Sequence, residues 1–65
     1  MSLKRGGELA RGDAFRFLSD THVIAEVRPS SSPLACRLIP GALTAIATDG
    51  WAITIDPEHL YEVGL

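Results

Sequence analysis

The stretch that most constrains this chain is its last third. Asp49-Gly50 is followed by Trp51-Ala52-Ile53-Thr54-Ile55, then Asp56-Pro57-Glu58-His59-Leu60, then Tyr61-Glu62-Val63. An Asp-Gly pair between alternating runs is a strong hairpin signal. Trp51, Ile53 and Ile55 share one face of a strand, with Ala52 and Thr54 on the other. Asp56 suits a helix N-cap, Pro57 the first helical position and Glu58 the positive end of a helix dipole. The pattern predicts one tight helical turn before a short closing strand at Tyr61–Val63.

The rest of the chain reads in the same short units. Residues 1–8 are polar and glycine-bearing and are expected to form a flexible N-terminal segment. Gly12-Asp13 signals a turn. Ala14-Phe15-Arg16-Phe17-Leu18 follows as a strand with both phenylalanines on one face. Ser19-Asp20-Thr21 is a polar break. In the next strand, His22 to Arg28, Val23, Ala25 and Val27 are expected to face inward. His22, Glu26 and Arg28 then face out, and the apolar Ile24 on that outer face calls for a second layer or a partner chain. Pro29-Ser30-Ser31-Ser32-Pro33 reads as a flexible loop, and Leu34–Ile39 as a further strand. Pro40-Gly41 is a turn. Leu43–Thr48 has mixed propensities, but it is short and leads into the Asp49-Gly50 turn, so it is assigned to a strand.

Short strands with tight turns in 65 residues predict one all-β domain over residues 9–65, a five-stranded, partly open barrel that protects most of its sheet edges. The expected core is Leu9, Phe15, Phe17, Val23, Ala25, Val27, Cys36, Leu38, Ile46, Trp51, Ile53, Ile55, Leu60 and Val63. A flat sheet with one helix on one side is the competing arrangement.

Two passages carry a family resemblance. Leu9-Ala10-Arg11-Gly12-Asp13-Ala14-Phe15-Arg16 resembles the opening of SH3-like small β-barrels, where a Gly-Asp pair precedes the first strand. Ile53 to Val63 resembles their ending, with a helical turn before the last strand. Within that superfamily the chain is similar in length and in both passages to plasmid-type dihydrofolate reductases. The resemblance implies a tetramer with one central active-site pore, lined in that family by a Val-Gln-Ile-Tyr stretch. Here Ile53-Thr54-Ile55-Asp56 stands in its place. The glutamine and tyrosine are absent, and the Asp56 carboxylate would repel an acidic substrate.

Composition excludes several functions. A single cysteine, Cys36, rules out an internal disulfide and a thiolate zinc site. Its neighbours Ala35 and Leu38 are apolar and no activating motif surrounds it, so a structural thiol is expected. His22 and His59 match no metal-ligand spacing and read as surface imidazoles. Ser30-Ser31-Ser32 lacks the flanks of a phosphate-cradling loop. No metal, cofactor or catalytic residue is predicted. No run of about 18 apolar residues would cross a membrane, and no export signal is evident, so a cytoplasmic protein is expected.

The six basic residues all lie in the first 37 positions against four acids, a balance of +2. The other 28 positions hold four acids and no Lys or Arg, a balance of −4. With a pI near 5.5 and no basic cluster beyond Lys4-Arg5, phosphate-driven nucleic-acid binding is disfavoured.

A core this small often needs a supplement, and oligomerisation is the one left open. The reading is therefore a non-catalytic protein-interaction or self-association module, with a protein partner or a second copy of the chain. Ile24, Trp51 and Tyr61 are its candidate contact residues. Alternatives are a nucleic-acid or ribosome-associated accessory barrel, and an oligomeric enzyme with its active site between subunits.

Overall fold

The computed structural model describes residues 2–64. Its strands are β1 (Ser2–Arg5), β2 (Ala14–Phe17), β3 (Asp20–Pro29), β4 (Leu43–Ala47), β5 (Ala52–Ile55) and β6 (Leu60–Val63). One short helix, α1 (Pro33–Leu38), lies between β3 and β4. All paired strands are antiparallel, in one sheet of order β1-β6-β2-β3-β4-β5. The all-β class is as expected. Among the described residues the sheet has six strands, and no ladder joins β5 to β1 to close it.

The first correction is that residues 2–8 carry regular secondary structure. Ser2–Arg5 pairs with β6 in the register Ser2↔Val63 to Arg5↔Leu60, and Gly6–Glu8 forms a single 3₁₀ turn. The Arg5 N–H donates to the Glu8 carboxylate at 3.2 Å. Lys4 Nζ lies 3.1 Å from Asp13 Oδ2 and ties β1 to the turn before β2. The Ala10 N–H also donates to Asp13, at 2.9 Å. That backbone bond, assisted by Lys4, outweighs burial and holds the Asp13 carboxyl below its usual range. A four-residue polar strand has no periodicity to betray it. It exists because β6 offers an unpaired edge.

β2 and β3 form a hairpin whose loop is only Leu18-Ser19, since Phe17 pairs with Asp20. The pairing runs one step further than the polar break at 19–21 suggested. Along β3 the register slips between Ile24 and Glu26: Ile24 opposes Ala47, and Glu26 opposes Ile46. Ala25 is the extra residue of a β-bulge, and a bulge resets the two-residue alternation. Hence His22 and Ile24 face the core, and after the bulge Val27 does, while Val23 and Ala25 are exposed. The expected inward set of Val23, Ala25 and Val27 assumed one unbroken period.

The second correction is α1, which replaces the strand expected at 34–39. Ser32 Oγ accepts from the Ala35 N–H at 3.3 Å and Pro33 occupies the first turn, both start signals of a helix. No residue of α1 is buried, so Cys36 and Leu38 leave the expected core. The Cys36 thiol lies exposed, 3.5 Å from the Ser30 carbonyl.

The Pro40-Gly41 turn forms as expected, closed by the Ala42 N–H on the Ile39 carbonyl at 3.0 Å. The β4–β5 hairpin also forms as read. The Gly50 N–H donates to the Ala47 carbonyl at 3.0 Å, and Gly50 takes φ +95°. A type I turn ending in a left-handed residue is a common three-residue hairpin loop, and glycine adopts that conformation without a Cβ penalty. After β5 the chain makes a tight turn rather than the expected helical one. The Asp56 carboxylate takes the Glu58 N–H at 3.0 Å, and its carbonyl takes the His59 N–H at 3.2 Å. Asp56 closes a side-chain turn instead of capping a helix.

The core lies on one face of the sheet. Leu9 and Phe15, Ile24, Ala45, Ile53, Ile55, Tyr61 and Val63 form one buried cluster, fed by each of β2 to β6. In a flat sheet β5 and β2 would stand three strand spacings apart, roughly 14 Å. Here residues of β5, β2 and β6 line shared cavities, so the sheet curls to bring β5 back over its own core. Trp51 and Leu60, both expected in that core, are exposed at the margin of the curl.

Candidate functional site

The curl leaves a seam where β5 faces the β2–β3 hairpin and β6. Two cavities lie along it. One, of about 370 Å³, is lined by Phe17, Leu18, His22, Trp51 and Ile53 among others. The second, of about 550 Å³, is lined by Arg16, Asp56, Leu60, Tyr61 and Glu62 among others. Phe17, Leu18 and Thr54 line both, so the cavities adjoin along β5.

The backbone of β5 faces this seam with hydrogen-bonding groups that have no partner among the described residues. Ala47 and Trp51 are a hydrogen-bonded pair, with the Ala47 N–H on the Trp51 carbonyl at 2.8 Å. Antiparallel ladders alternate, so Ile53 and Ile55 also bond to β4. Ala52 and Thr54 therefore direct their N–H and C=O groups away from β4. The next group in that row, the Asp56 N–H, is taken by the Tyr61 hydroxyl at 3.2 Å. An unpaired strand edge is a template for pairing with another chain.

Apolar side chains rim the edge. Leu18 is 86% exposed, Trp51 is 65% exposed, and Leu60 is also open to solvent. Leu18 sits at φ +59°, the one positive-φ non-glycine position among the described residues. That conformation costs a residue with a Cβ about 1–2 kcal/mol, and an exposed leucine recovers little by burial. Leu18→Gly is expected to relieve the strain, less about 0.5–1 kcal/mol of glycine entropy. Its melting temperature should rise by roughly 3–6 °C for a domain this small. A fall in thermal denaturation would show that the Leu18 side chain stabilises the hairpin.

His22 is the buried polar group of the site, at 8% exposure. It comes from the core face of β3, opposite Phe15 in the ladder, with the two ring centroids 6.1 Å apart. Its Nδ1 lies 3.3 Å from Asp49 Oδ2. The other oxygen, Oδ1, accepts the Trp51 N–H at 3.1 Å. One carboxylate thus fixes both the imidazole and the strand entry that carries Trp51. The expectation of a surface imidazole at His22 is corrected by the bulge, which sets the inward phase at 22 and 24.

Of the three expected contact residues, Trp51 is exposed at this surface, Tyr61 lines the second cavity from a buried position, and Ile24 does not reach it. Ile24 is 1% exposed and sits in the core, again because of the bulge. Tyr61 is buried edge-on to Phe15, with centroids 5.8 Å apart and planes at 87°. His59, exposed, packs against the Tyr61 ring at 4.8 Å. Leu18 and Leu60 escaped the sequence reading because nothing local marks an exposed leucine as functional. Asp49 was legible as a turn residue only. No group of three His, Cys, Asp or Glu side chains able to hold a metal occurs among the described residues.

No family model matches the chain, and neither a search of curated proteins nor one of solved structures returns a match.

Proposed function

We propose that this domain is a small protein-interaction module that receives an extended segment of a partner protein along β5. The single observation that carries the reading is the coincidence of an unpaired β5 edge with the apolar rim of Leu18, Trp51 and Leu60. Strand addition uses backbone hydrogen bonds for affinity and side-chain pockets for specificity. The free groups of Ala52 and Thr54 supply the first, and the two cavities supply the second. The curled sheet is read as an SH3-like barrel left open at this seam. Its support is that β2 to β6 share one core while β1 adds outside it.

Charge points to the chemistry of the partner. Asp20, Asp56 and Glu62 line the seam against a single guanidinium, Arg16, which lies 4.0 Å from Glu62. An acidic rim with apolar anchors suits a segment that alternates apolar and basic residues. It repels phosphate, which disfavours a nucleic acid at this surface.

Selection of random extended peptides on the immobilised domain supplies probes for the test. Saturation with a selected peptide is expected to slow hydrogen exchange of the Ala52 and Thr54 amides at least about tenfold. Thr54→Pro removes an outward N–H without breaking the β4 ladder, a placement proline tolerates on an edge strand. Losing that bond should weaken peptide binding by about tenfold or more. Unchanged exchange at both amides, or undiminished binding by the proline variant, would sink the proposal. Sedimentation equilibrium of the chain alone shows whether a second copy competes for the same edge.

A further inference from the structure

We infer that the cavity between the two hairpin tips is a specific pocket for an aromatic ring bearing one hydrogen-bond donor, such as the tyrosine side chain of the incoming segment. The inference rests on the interaction reading above and names the anchor that the segment carries.

The pocket is built around His22. An ionised carboxylate only accepts hydrogen bonds, so the contact with Asp49 places a hydrogen on Nδ1. In the neutral ring Nε2 then carries a lone pair. Nε2 has no hydrogen-bond partner among the described residues, and no buried side-chain nitrogen or oxygen there lacks one. Nε2 therefore keeps some contact with solvent, and His22 lines the 370 Å³ cavity. The result is a nine-tenths buried imidazole, oriented by Asp49 and backed by Phe15, whose neutral ring has an unused acceptor at a pocket that is apolar apart from Asp20 and Thr54.

The surrounding side chains select the ligand. Phe17, Leu18, Trp51 and Ile53 give apolar and aromatic surface, and the volume is of the size that holds one ring with its substituents. Asp20 on the wall and Asp49 behind the imidazole disfavour an anion. A purely aliphatic or benzyl group fills the space but leaves the acceptor unpaired and dehydrated, which costs affinity. A phenol satisfies both requirements. Discrimination by a built hydrogen-bonding group exceeds what shape alone provides.

The test uses p-cresol and toluene as probes on the full chain, followed by NMR of the His22 imidazole nitrogens and the Trp51 indole. p-Cresol is expected to shift Nε2 and the indole signals and to bind about tenfold more tightly than toluene. His22→Phe is expected to abolish that preference. Trp51→Ala, at an exposed position that leaves the core intact, is expected to weaken both probes alike. Equal affinity for the two probes would overturn the inference, as would p-cresol shifts confined to another surface or no binding at all. p-Cresol needs no strand pairing, so failure here is distinct from failure of peptides to protect Ala52 and Thr54.

Discussion

Gly6→Ala is expected to unfold the domain or leave it only partly folded at 25 °C. Gly6 is buried where the 3₁₀ turn passes over the end of β5, and its N–H donates to the His59 carbonyl at 2.8 Å. A Cβ at this position would overlap the Asp56 carbonyl oxygen. It would also lie 2.6 Å from Ile55 Cγ2 and 2.9 Å from the Asp56 carbonyl carbon. Two of those three atoms are backbone, so no rotamer change relieves the clash. Overpacking costs typically 1–3 kcal/mol and more where backbone must move. Displacing the turn also strains the Gly6 hydrogen bond and the β1–β6 ladder beside it. A domain of this size holds only about 3–5 kcal/mol in total. Gly7→Ala is the control: its Cβ would meet only Pro57, at an ordinary 3.5 Å. Urea denaturation of both variants is the measurement. A Gly6→Ala midpoint equal to that of Gly7→Ala would mean that the turn does not pack on β5 as described.

Phe15→Ala is expected to cost about 3–5 kcal/mol and to eliminate the cooperative transition. Phe15 is fully buried at the centre of the core. It meets Tyr61 edge-on from β6 and His22 from β3, joining the strands on either side of β2. Removing the ring loses burial and an aromatic pair and leaves a cavity that short strands cannot collapse around. Phe15→Leu keeps most of the volume and is expected to retain a cooperative, weakened transition. Circular dichroism melting of the two variants provides the check. A cooperative melt of Phe15→Ala within a few degrees of the parent would show that the core is held elsewhere. The same ring backs His22, so Phe15→Leu should also blunt the preference for p-cresol over toluene.

These residues show what kind of information was legible beforehand. Alternation alone points Phe15, Ile53, Ile55 and Val63 into the core, and the structure places them there. Of the candidate contact residues, Trp51 is exposed as a contact residue must be, while Ile24 and Tyr61 are buried. The error at Ile24 has one cause, the Ala25 bulge. A single inserted residue inverts every inward and outward assignment on one side of it. The helix α1 was a different failure. Its Ser32-Pro33 start is present in the sequence, but the apolar residues after it also suit a strand.

By itself the sequence determined the all-β class, the Asp49-Gly50 hairpin, the Pro40-Gly41 turn and the phase of β2 and β5. Those features follow from turn chemistry and two-residue alternation, which act between neighbours in the chain. Only the tertiary structure decided that Ser2–Arg5 is a strand, that β3 changes phase at Ala25, and that the sheet curls without closing. Each depends on which edge lies beside which: β6 recruits β1, the β4 ladder sets the bulge, and β5 is left with one unpaired side. The seam, with His22 turned into it and Leu18 and Trp51 at its rim, arises from that last outcome, because a free edge is a property of the whole sheet and of no single segment.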